Sequence, residues 1–528
     1  MSRRRGPAER RSVPTPAFDA EVLPEPRILF GGRHEHVDPK IGLALYGPYS
    51  GPDQPRPPLS SINVGIVGPA PMLADAERFL HAATGELVND GSQPFLHPHF
   101  PGFNAAPPFQ CALVLAASLR HAFTSDELTA ALKTPDFYDR IDKIAALYVR
   151  AIETLEARDP RPSVVLCCIP QEVIDVCTVR RTRAGQIQRI KLTSEEKRAR
   201  EEAASPQLRL FAELGTTVGV EDEEPVHQNL RRAIKADSMK FGIPTQLVWP
   251  RTLELVPRTA AVGERQVQDI ATRAWNLLTA LYYKAGGSPW RLAQIDPGVC
   301  FIGVSFYREI LTTEPKLRTA LAQMFTASGD GYVIRGKAFE WDEATGGRSP
   351  HLDQANAASL MRDVLALYKR QNEDRLPSRL VLHKSSRFTE EELRGFKDGA
   401  GSVPRMDLVA FGWRGIQFHR PGLYPPLRGM YVRFDDRNFL LYTVGYVPYL
   451  RTYPGAATPQ PIEILEHHGD SPWDVVLNES LALTKMNWNT SDFACAKPMT
   501  LAFAQRVGHI LAEMREGETP RPEYRYYM

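Results

Sequence analysis

The sequence predicts an α/β protein with two domains, and three observations lead to this prediction. With 528 residues, of which 43% are hydrophobic, the chain can bury a large core and exceeds the size at which single cores usually divide. From residue 62 to about residue 295, short apolar runs alternate with helical periodicity, as in a parallel sheet covered by helices. From residue 296 onward, strands come first and helices later, which favours a mixed sheet like that of RNase H.

The first 61 residues are predicted to precede the compact domains. Residues 1–28 lack periodicity and are polar and proline-rich, so we expect a disordered, basic tail in a cytoplasmic protein. Its arginines could contact phosphates, although such tails are more commonly solvated. Residues 29–61 are predicted to be a connecting segment, because residues 46–60 are dense in Pro, Gly and Ser.

The first domain, residues 62–295, is predicted from buried strands and the helices between them. The strands are expected at residues 62–67, 110–115, 163–169 and 245–249. The helices are expected at residues 71–83, 136–158, 229–241 and 264–283. Residues 180–224 are highly charged and are predicted to be a surface insertion, in which a capping box of Thr193 and Glu196 starts a helix reaching residue 203.

The second domain, residues 296–528, is predicted to contain more strands than helices. The strands are expected at residues 300–307, 331–334, 379–383, 408–411, 430–434 and 439–446. The helices are expected at residues 356–368, 479–483 and 501–514.

Composition excludes few functions but several motifs are missing. The net charge of +2 means that any contact with nucleic acid needs locally focused charge. The six cysteines form no CxxC pair, and no apolar run is long enough to span a bilayer, so no membrane association is expected. Common nucleotide-binding and nucleophile motifs are absent. Three histidine pairs, which we expect to be solvated loop residues rather than metal ligands, occur at residues 34 and 36, 97 and 99, and 467 and 468.

Basic and amide side chains recur near element ends in the first domain. Arg231 and Lys235 lie one helical turn apart, Gln246 starts a predicted strand, and Lys284 precedes two glycines. By spacing alone, Arg231 and Lys235 could simply form a solvated helix face. The alternative is a phosphate site, in which cations and neutral donors converge.

Two runs containing these residues favour the phosphate site, because they resemble the Rossmann-like MID domain of Argonaute proteins. They are NLRRAIKADSMKFGIPTQLV at residues 229–248 and NLLTALYYKAGG at residues 276–287. The resemblance implies that Arg231, Lys235, Gln246 and Lys284 hold the 5′-phosphate of a guide strand. Arg231 departs from the tyrosine that is common in eukaryotic members.

The second domain resembles the PIWI domain of the same family. The matching runs are FIGVSF at 301–306, LVLHKSSRFTEEEL at 380–393, PPLRGMYVRF at 425–434 and, most specifically, TKMNWN at 484–489. The resemblance places Lys485 near the 5′-phosphate pocket. It also implies a Mg²⁺ ion at the guide's 5′ end, with the C-terminal carboxylate of Met528 as a contributor.

A cutting PIWI domain binds two divalent cations through carboxylates, and this sequence lacks them. The family's aspartate positions fall on Ser305 and Ser385, and the last position of the tetrad aligns near Gln505. Lys384 is expected to add positive charge beside Ser385. We therefore expect no catalytic metal and no nuclease activity of this chain.

Two alternatives remain open. Some acids survive, namely Glu340, Asp342 and Glu343, and an active guide-directed nuclease could combine them with rearranged ligands such as Asp407 or Asp435. The chain could also be an interaction scaffold that does not bind nucleic acid.

The MID and PIWI resemblance, without N and PAZ domains ahead of it, is closest to short prokaryotic Argonautes. It implies a short 5′-phosphorylated guide, with RNA favoured, and a complementary target, with DNA favoured. It further implies an APAZ-containing effector that carries a Sir2, TIR or nuclease domain and acts in defence against plasmids or phage.

Overall fold

A computed structural model of the chain describes most residues from 20 to 528. The exceptions are residues 52–56, 90, 92, 178–179, 182–186, 189–228, 257–267, 297, 310, 312–316, 326–330, 340, 342–348, 414, 420, 436–437 and 456. The arginines of residues 1–19, the predicted helix at 193–203 and the predicted start of a helix at 264 therefore lie outside the described residues.

Nineteen strands and twelve helices are described. The strands are β1 Ala20–Val22, β2 Ile28–Leu29, β3 Glu35–His36, β4 Ser61–Pro69, β5 Ala112–Val114, β6 Arg120–Phe123, β7 Val164–Cys168, β8 Arg180–Arg181, β9 Ile187–Gln188, β10 Thr245–Val248, β11 Arg291–Leu292, β12 Val299–Arg308, β13 Leu317–Phe325, β14 Gly331–Phe339, β15 Arg379–Lys384, β16 Met406–Gly412, β17 Met430–Arg433, β18 Phe439–Leu441 and β19 Ile462–His468. The helices are α1 Pro39–Tyr46, α2 Ala70–Ala82, α3 Ser125–Leu132, α4 Phe137–Glu156, α5 Gln171–Cys177, α6 Leu230–Ser238, α7 Pro250–Leu253, α8 Ile270–Lys284, α9 Gln354–Gln371, α10 Glu390–Ala400, α11 Trp473–Ala482 and α12 Met499–Leu511.

The first half is built on a parallel sheet. Its strand order is β10-β7-β4-β5, and β6 also pairs with β4. All five residues of β7 are buried, as expected for a parallel strand that is covered on both faces. The longest helix of this half, α4, starts at Asp136, whose side chain accepts hydrogen bonds from two backbone amides of the first turn. Its apolar face packs in one core with α6.

The second half is built on a mixed sheet of nine strands, in the order β1-β17-β18-β19-β16-β15-β12-β13-β14. The central strands β12, β15 and β16 are parallel, so their carboxyl ends share one edge. Helices α9 and α10 pack together, and α12 lies against β12 and β13. Gly303 allows this close approach, because a Cβ atom there would collide with the Thr500 carbonyl group.

The predicted α/β class agrees with the structure, but nine of the described strands were missed, of which β13 and β19 are the longest. Strand β13 has apolar residues at helical rather than alternating spacing, and β19 carries charged residues at Glu463 and Glu466. The strand expected at 439–446 ends at Leu441, because the chain then turns. His467 lies on β19 with a largely buried side chain, so the prediction of a solvated loop residue was wrong for it.

The segment before residue 62 is more ordered than predicted. Residues 20–28 are not a disordered tail, because β1 pairs antiparallel with the edge strand β17 and Ile28 is buried in the core. The segment 29–61 is also more than a connection. Asp38 caps α1, and the side chains of Phe30 and Leu43 are fully buried. Among the described helices, none is long and apolar enough to cross a membrane.

Candidate nucleic-acid interface

Three of the predicted phosphate ligands meet at the end of the parallel sheet. Lys235 of α6 is buried, and its Nζ atom donates a 2.9 Å hydrogen bond to the Thr245 carbonyl oxygen at the start of β10. Lys284, the last residue of α8, is also buried and donates to Oε1 of the adjacent Gln246. The ammonium groups of Lys235 on α6 and Lys284 on α8 therefore both contact β10. We call Lys235, Gln246 and Lys284 the lysine cluster.

The lysine cluster brings positive charges together without a described carboxylate to balance them. Burial lowers the pKa of Lys284, and the positive charges of Lys235, Arg231 and Arg506 lower it further. The pKa of Lys235 is lowered by burial and then by Arg231. None of the described groups that shift these two pKa values is a carboxylate. Buried charges are normally paired, so this arrangement favours an anionic ligand.

A cationic cavity of about 350 Å³ adjoins this region, between the first half and α12. Arg231 lies on its wall with an exposed side chain, which places this predicted ligand at the solvent side. Arg232, Arg506 and His509 also line the cavity. Arg506 was not predicted as a ligand. Its guanidinium group lies close to the buried phenol of Tyr524 and to Arg231.

Lys485 of the TKMNWN run is bound elsewhere. Its Nζ atom lies 2.7 Å from a carboxylate oxygen of Glu25 and donates a 2.8 Å hydrogen bond to the Val37 carbonyl oxygen. Burial lowers the pKa of Lys485 to about 8, against the opposing effect of Glu25. The structure therefore pairs this ammonium group with Glu25 from the N-terminal segment, and the role of Lys485 in phosphate binding stays a prediction.

The surroundings of the lysine cluster fit a divalent cation poorly. Mg²⁺ takes oxygen ligands, whereas the side chains here are mainly ammonium and guanidinium groups. Gln246 Oε1 already accepts a hydrogen bond from Lys284. In the described part of the chain, no three His, Cys, Asp or Glu side chains are placed to hold a metal ion. Met528 is buried in the same core as Tyr524 and Tyr527.

In the second half, the three positions that are predicted to lack the acids of a cutting PIWI domain lie near one another. Ser305 of β12 donates a 2.8 Å hydrogen bond to the carbonyl oxygen of Ala504, the residue before Gln505 on α12. Val304 pairs with Lys384, so Ser385 follows β15 at the same sheet edge as Ser305. Ser385 and Gln505 are both exposed. We call this region, formed by Ser305, Ser385 and Gln505, the serine edge.

Lys384 does not add charge to the serine edge, contrary to the prediction. It is buried, and its Nζ atom lies 2.5 Å from a carboxylate oxygen of Glu392 on α10 and 3.0 Å from Nδ1 of His351. Successive residues of a strand point to opposite faces, and the preceding residue, His383, contacts Thr500 of α12. Lys384 therefore faces the helices on the other side of the sheet.

The acids of the alternative nuclease site are far from the serine edge or outside the described residues. Asp407 on β16 pairs with Val381 on β15. Val381 precedes Ser385 by four residues, which is about 13 Å along the strand. Its carboxylate is buried and contacts Arg379, His467 and Ser471. Asp435 lies in the hairpin turn between β17 and β18, where both its carboxylate oxygens accept hydrogen bonds from Asn438. Residues 340, 342 and 343 are not described.

Comparisons with known proteins find similarity to Argonautes. No protein-family profile matches the chain. The protein argonaute of Aquifex aeolicus is 22% identical over 284 residues, which are 53% of this chain and 35% of that protein. The protein argonaute of Thermus thermophilus is 27% identical over 154 residues, which are 28% of this chain and 21% of that protein.

Solved structures cover more of the chain. Clostridium butyricum Argonaute bound to a guide DNA and a 19-mer target DNA matches 96% of this chain and 54% of its own, with a TM-score of 0.60 and 14% identity. Drosophila Piwi matches 96% of this chain and 56% of its own, with a TM-score of 0.53 and 12% identity. This chain thus spans about half the length of these solved chains and a smaller share of the curated relatives. It has the Argonaute fold, a Rossmann-like MID half followed by an RNase H-like PIWI half, as the sequence predicted.

Proposed function

We propose that this chain is a guide-dependent nucleic-acid-binding subunit of the short prokaryotic Argonaute type, which recognises complementary nucleic acid without cutting it. The observation that carries the proposal is the lysine cluster. Two buried ammonium groups, whose pKa values are lowered by burial and by neighbouring positive charges, have no described carboxylate near them, so binding of a phosphate dianion would relieve the repulsion.

The 5′-phosphate of a guide strand fits this position. A terminal phosphate offers several oxygens to Lys235 and Lys284, while Arg231 and Arg506 lie toward the cavity that the strand would enter. Sequence recognition is then left to base pairing, and the protein holds the strands by charge and shape. We propose RNA as the guide and DNA as the target.

The serine edge supports binding without cleavage. Hydrolysis by two metals needs carboxylates that hold the cations and activate water, and hydroxyl and amide groups are poor substitutes. The output of target recognition would come from an APAZ-containing partner with a Sir2, TIR or nuclease domain. In this proposal the assembly defends a prokaryotic cell against plasmids or phage.

The decisive experiment compares short RNA strands that differ only in a 5′-phosphate or a 5′-hydroxyl. Changing Lys235→Met together with Lys284→Met removes both charges and keeps much of the apolar volume. We expect affinity for the phosphorylated strand to fall at least about 100-fold and affinity for the hydroxyl strand to change less than about threefold. Lys397→Ala, at an exposed position of α10, is the matched control and should change neither.

Two results would overturn the proposal. Equal weakening of both strands would mean that the lysine cluster does not hold the terminal phosphate. Failure of the unmodified chain to bind either strand would favour a scaffold that has no nucleic-acid ligand.

A further inference from the structure

The stretch that follows β16 is unusually rich in exposed large apolar side chains. Trp413 is 38% exposed, Tyr424 is 37% exposed and Leu423 is 88% exposed. Ile416 and Phe434 are also partly exposed. Isolated exposed apolar residues are common, but a group of them in one segment is typical of a binding surface.

Trp413 lies at the same edge of the sheet as Ser305 and Ser385. Strands β15 and β16 are parallel, and Lys384 pairs with Ala410 near their carboxyl ends. Ser385 follows directly after β15, and Trp413 follows directly after β16. Trp413 therefore lies at the sheet edge where the residues Ser305, Ser385 and Gln505 are uncharged.

The ammonium group of Lys497 lies next to the Trp413 indole. The Nζ atom of Lys497 lies 4.5 Å from the centre of the Trp413 ring, and Lys497 stands just before Pro498, the N-cap of α12. Within the part of the chain that is described, Lys497 forms no salt bridge with a carboxylate, and its side chain is half-buried. The edge thus presents an aromatic surface next to an ammonium group and no acid among its three serine-edge positions.

We propose that Trp413 and Lys497 form a contact site for an unpaired nucleotide of the bound strand. The indole would stack on the base and the ammonium would contact the adjacent backbone phosphate, which is how sequence-independent single-strand sites are built. The unpaired state follows from the indole, because a base within a duplex has both faces covered. The serine edge contributes by its neutrality, since aspartates there without bound cations would repel the backbone.

This inference rests on the proposed function but concerns a second site. The lysine cluster recognises the end of the strand, whereas Trp413 and Lys497 contact its interior. The effect of changing Trp413 should therefore not depend on whether the strand carries a 5′-phosphate.

The test uses the full chain and short single-stranded RNA. We expect Trp413→Leu to weaken binding about tenfold for both 5′-phosphorylated and 5′-hydroxyl strands, and Trp413→Phe to retain most of the affinity because it keeps a stacking ring. Lys497→Met should weaken binding and reduce its dependence on salt. Tyr138→Leu, at an exposed aromatic residue of α4, is the matched control and should bind like the unmodified chain.

A second measurement locates the contact directly. Single 5-iodouridine substitutions along the strand, followed by irradiation and mass spectrometry, should give a cross-link to Trp413 from one internal position. Thermal unfolding of each variant separates loss of binding from loss of fold.

The outcomes distinguish the two proposals. If the unmodified chain binds RNA and Trp413→Leu binds equally well without any cross-link, this inference is wrong while the proposed function stands. If Trp413→Phe is as weak as Trp413→Leu, stacking is wrong. If the unmodified chain binds no strand, both proposals fail.

Discussion

The hydroxyl group of Ser305 donates a 2.8 Å hydrogen bond to the carbonyl oxygen of Ala504, which joins strand β12 to helix α12. This position, where the resemblance to PIWI domains predicts a metal-binding aspartate in an active nuclease, forms a structural contact between a sheet and a helix. A carboxylate in place of the hydroxyl could not form this hydrogen bond, because both the carboxylate and the Ala504 carbonyl oxygen are acceptors.

Changing Ser305→Asp should therefore destabilise the protein without producing a nuclease. We expect the free energy of unfolding to fall by about 1–3 kcal/mol, because the hydrogen bond is lost and a charge lies near a carbonyl oxygen. A cleavage assay with guide, matched target and Mg²⁺ or Mn²⁺ should show no product. Ser385→Asp, at an exposed position, is the control and should be neutral for stability. Cleavage by the Ser305→Asp variant would contradict this prediction, because it would mean that residues other than Ser385 and Gln505 bind the metal ions.

Binding of a phosphorylated strand should weaken at alkaline pH. The pKa values of Lys235 and Lys284 are well below that of a free lysine, through burial and neighbouring positive charge, so these side chains lose their protons first as the pH rises. Only the ammonium form attracts phosphate. Between about pH 7 and about pH 9.5 the affinity for a 5′-phosphorylated RNA should fall at least about fivefold relative to the 5′-hydroxyl strand.

Fluorescence anisotropy across this pH range gives both affinities. Calorimetry in two buffers of different ionisation enthalpy should also show proton uptake on binding. The double change Lys235→Arg with Lys284→Arg keeps its charge over the range and should flatten the difference. Parallel pH curves for the two strands in the unmodified chain would contradict the mechanism.

The lysine cluster was predictable because its members occupy the ends of elements that a parallel sheet brings together. Lys235 of α6 and Lys284 at the end of α8 both donate hydrogen bonds to residues of β10. Arg506 was not predictable by such reasoning. It comes from α12 in the other half of the chain, and only the packing of the two halves brings it toward Arg231.

Partners that are distant in sequence explain why other contacts were not predicted. Lys485 belongs to the most specific run in the chain, yet its partner Glu25 lies in a segment that composition marks as a disordered tail. The side of the sheet toward which Lys384 points depends on the register of β15, because a shift of one residue moves every side chain of a strand to the opposite side. Local patterns give the elements and their order, whereas such contacts are fixed by tertiary packing.

Removing Asp407 should cost stability rather than catalysis. Its carboxylate lies 2.5 Å from Arg379 and accepts hydrogen bonds from His467 and Ser471, all within a buried network. Loss of one member of a buried ion pair typically costs about 3–5 kcal/mol, although Glu479 also contacts Arg379 and should reduce the cost here. Denaturant unfolding of Asp407→Ala measures the loss, and Asp435→Ala, in an exposed turn, should lose much less. A stable Asp407→Ala protein that has lost cutting activity would favour the nuclease alternative.

Acidification should destabilise the junction of β15 and α12 through His383. This imidazole is buried, and its Nδ1 atom lies 2.8 Å from the hydroxyl oxygen of Thr500. Burial, with the nearby charge of Arg379, lowers the pKa of His383 to about 3. The unfolded chain binds this proton with a pKa of about 6.5, so the stability is fully present above that pH and is lost as the pH falls from there toward the folded value.

Between about pH 7.5 and about pH 5.5, His383 alone should remove about 1.4 kcal/mol from the free energy of unfolding. The variant His383→Asn keeps a polar group beside Thr500 but cannot take up the proton. It should be less stable than the unmodified protein at the higher pH, yet lose about 1.4 kcal/mol less between the two pH values. Denaturant unfolding at both pH values gives the four free energies, with His419→Asn, at an exposed histidine, as the control. Equal losses for His383→Asn and the unmodified protein would mean that His383 is not the group that takes up the proton, because the remaining acid sensitivity would then belong to other residues.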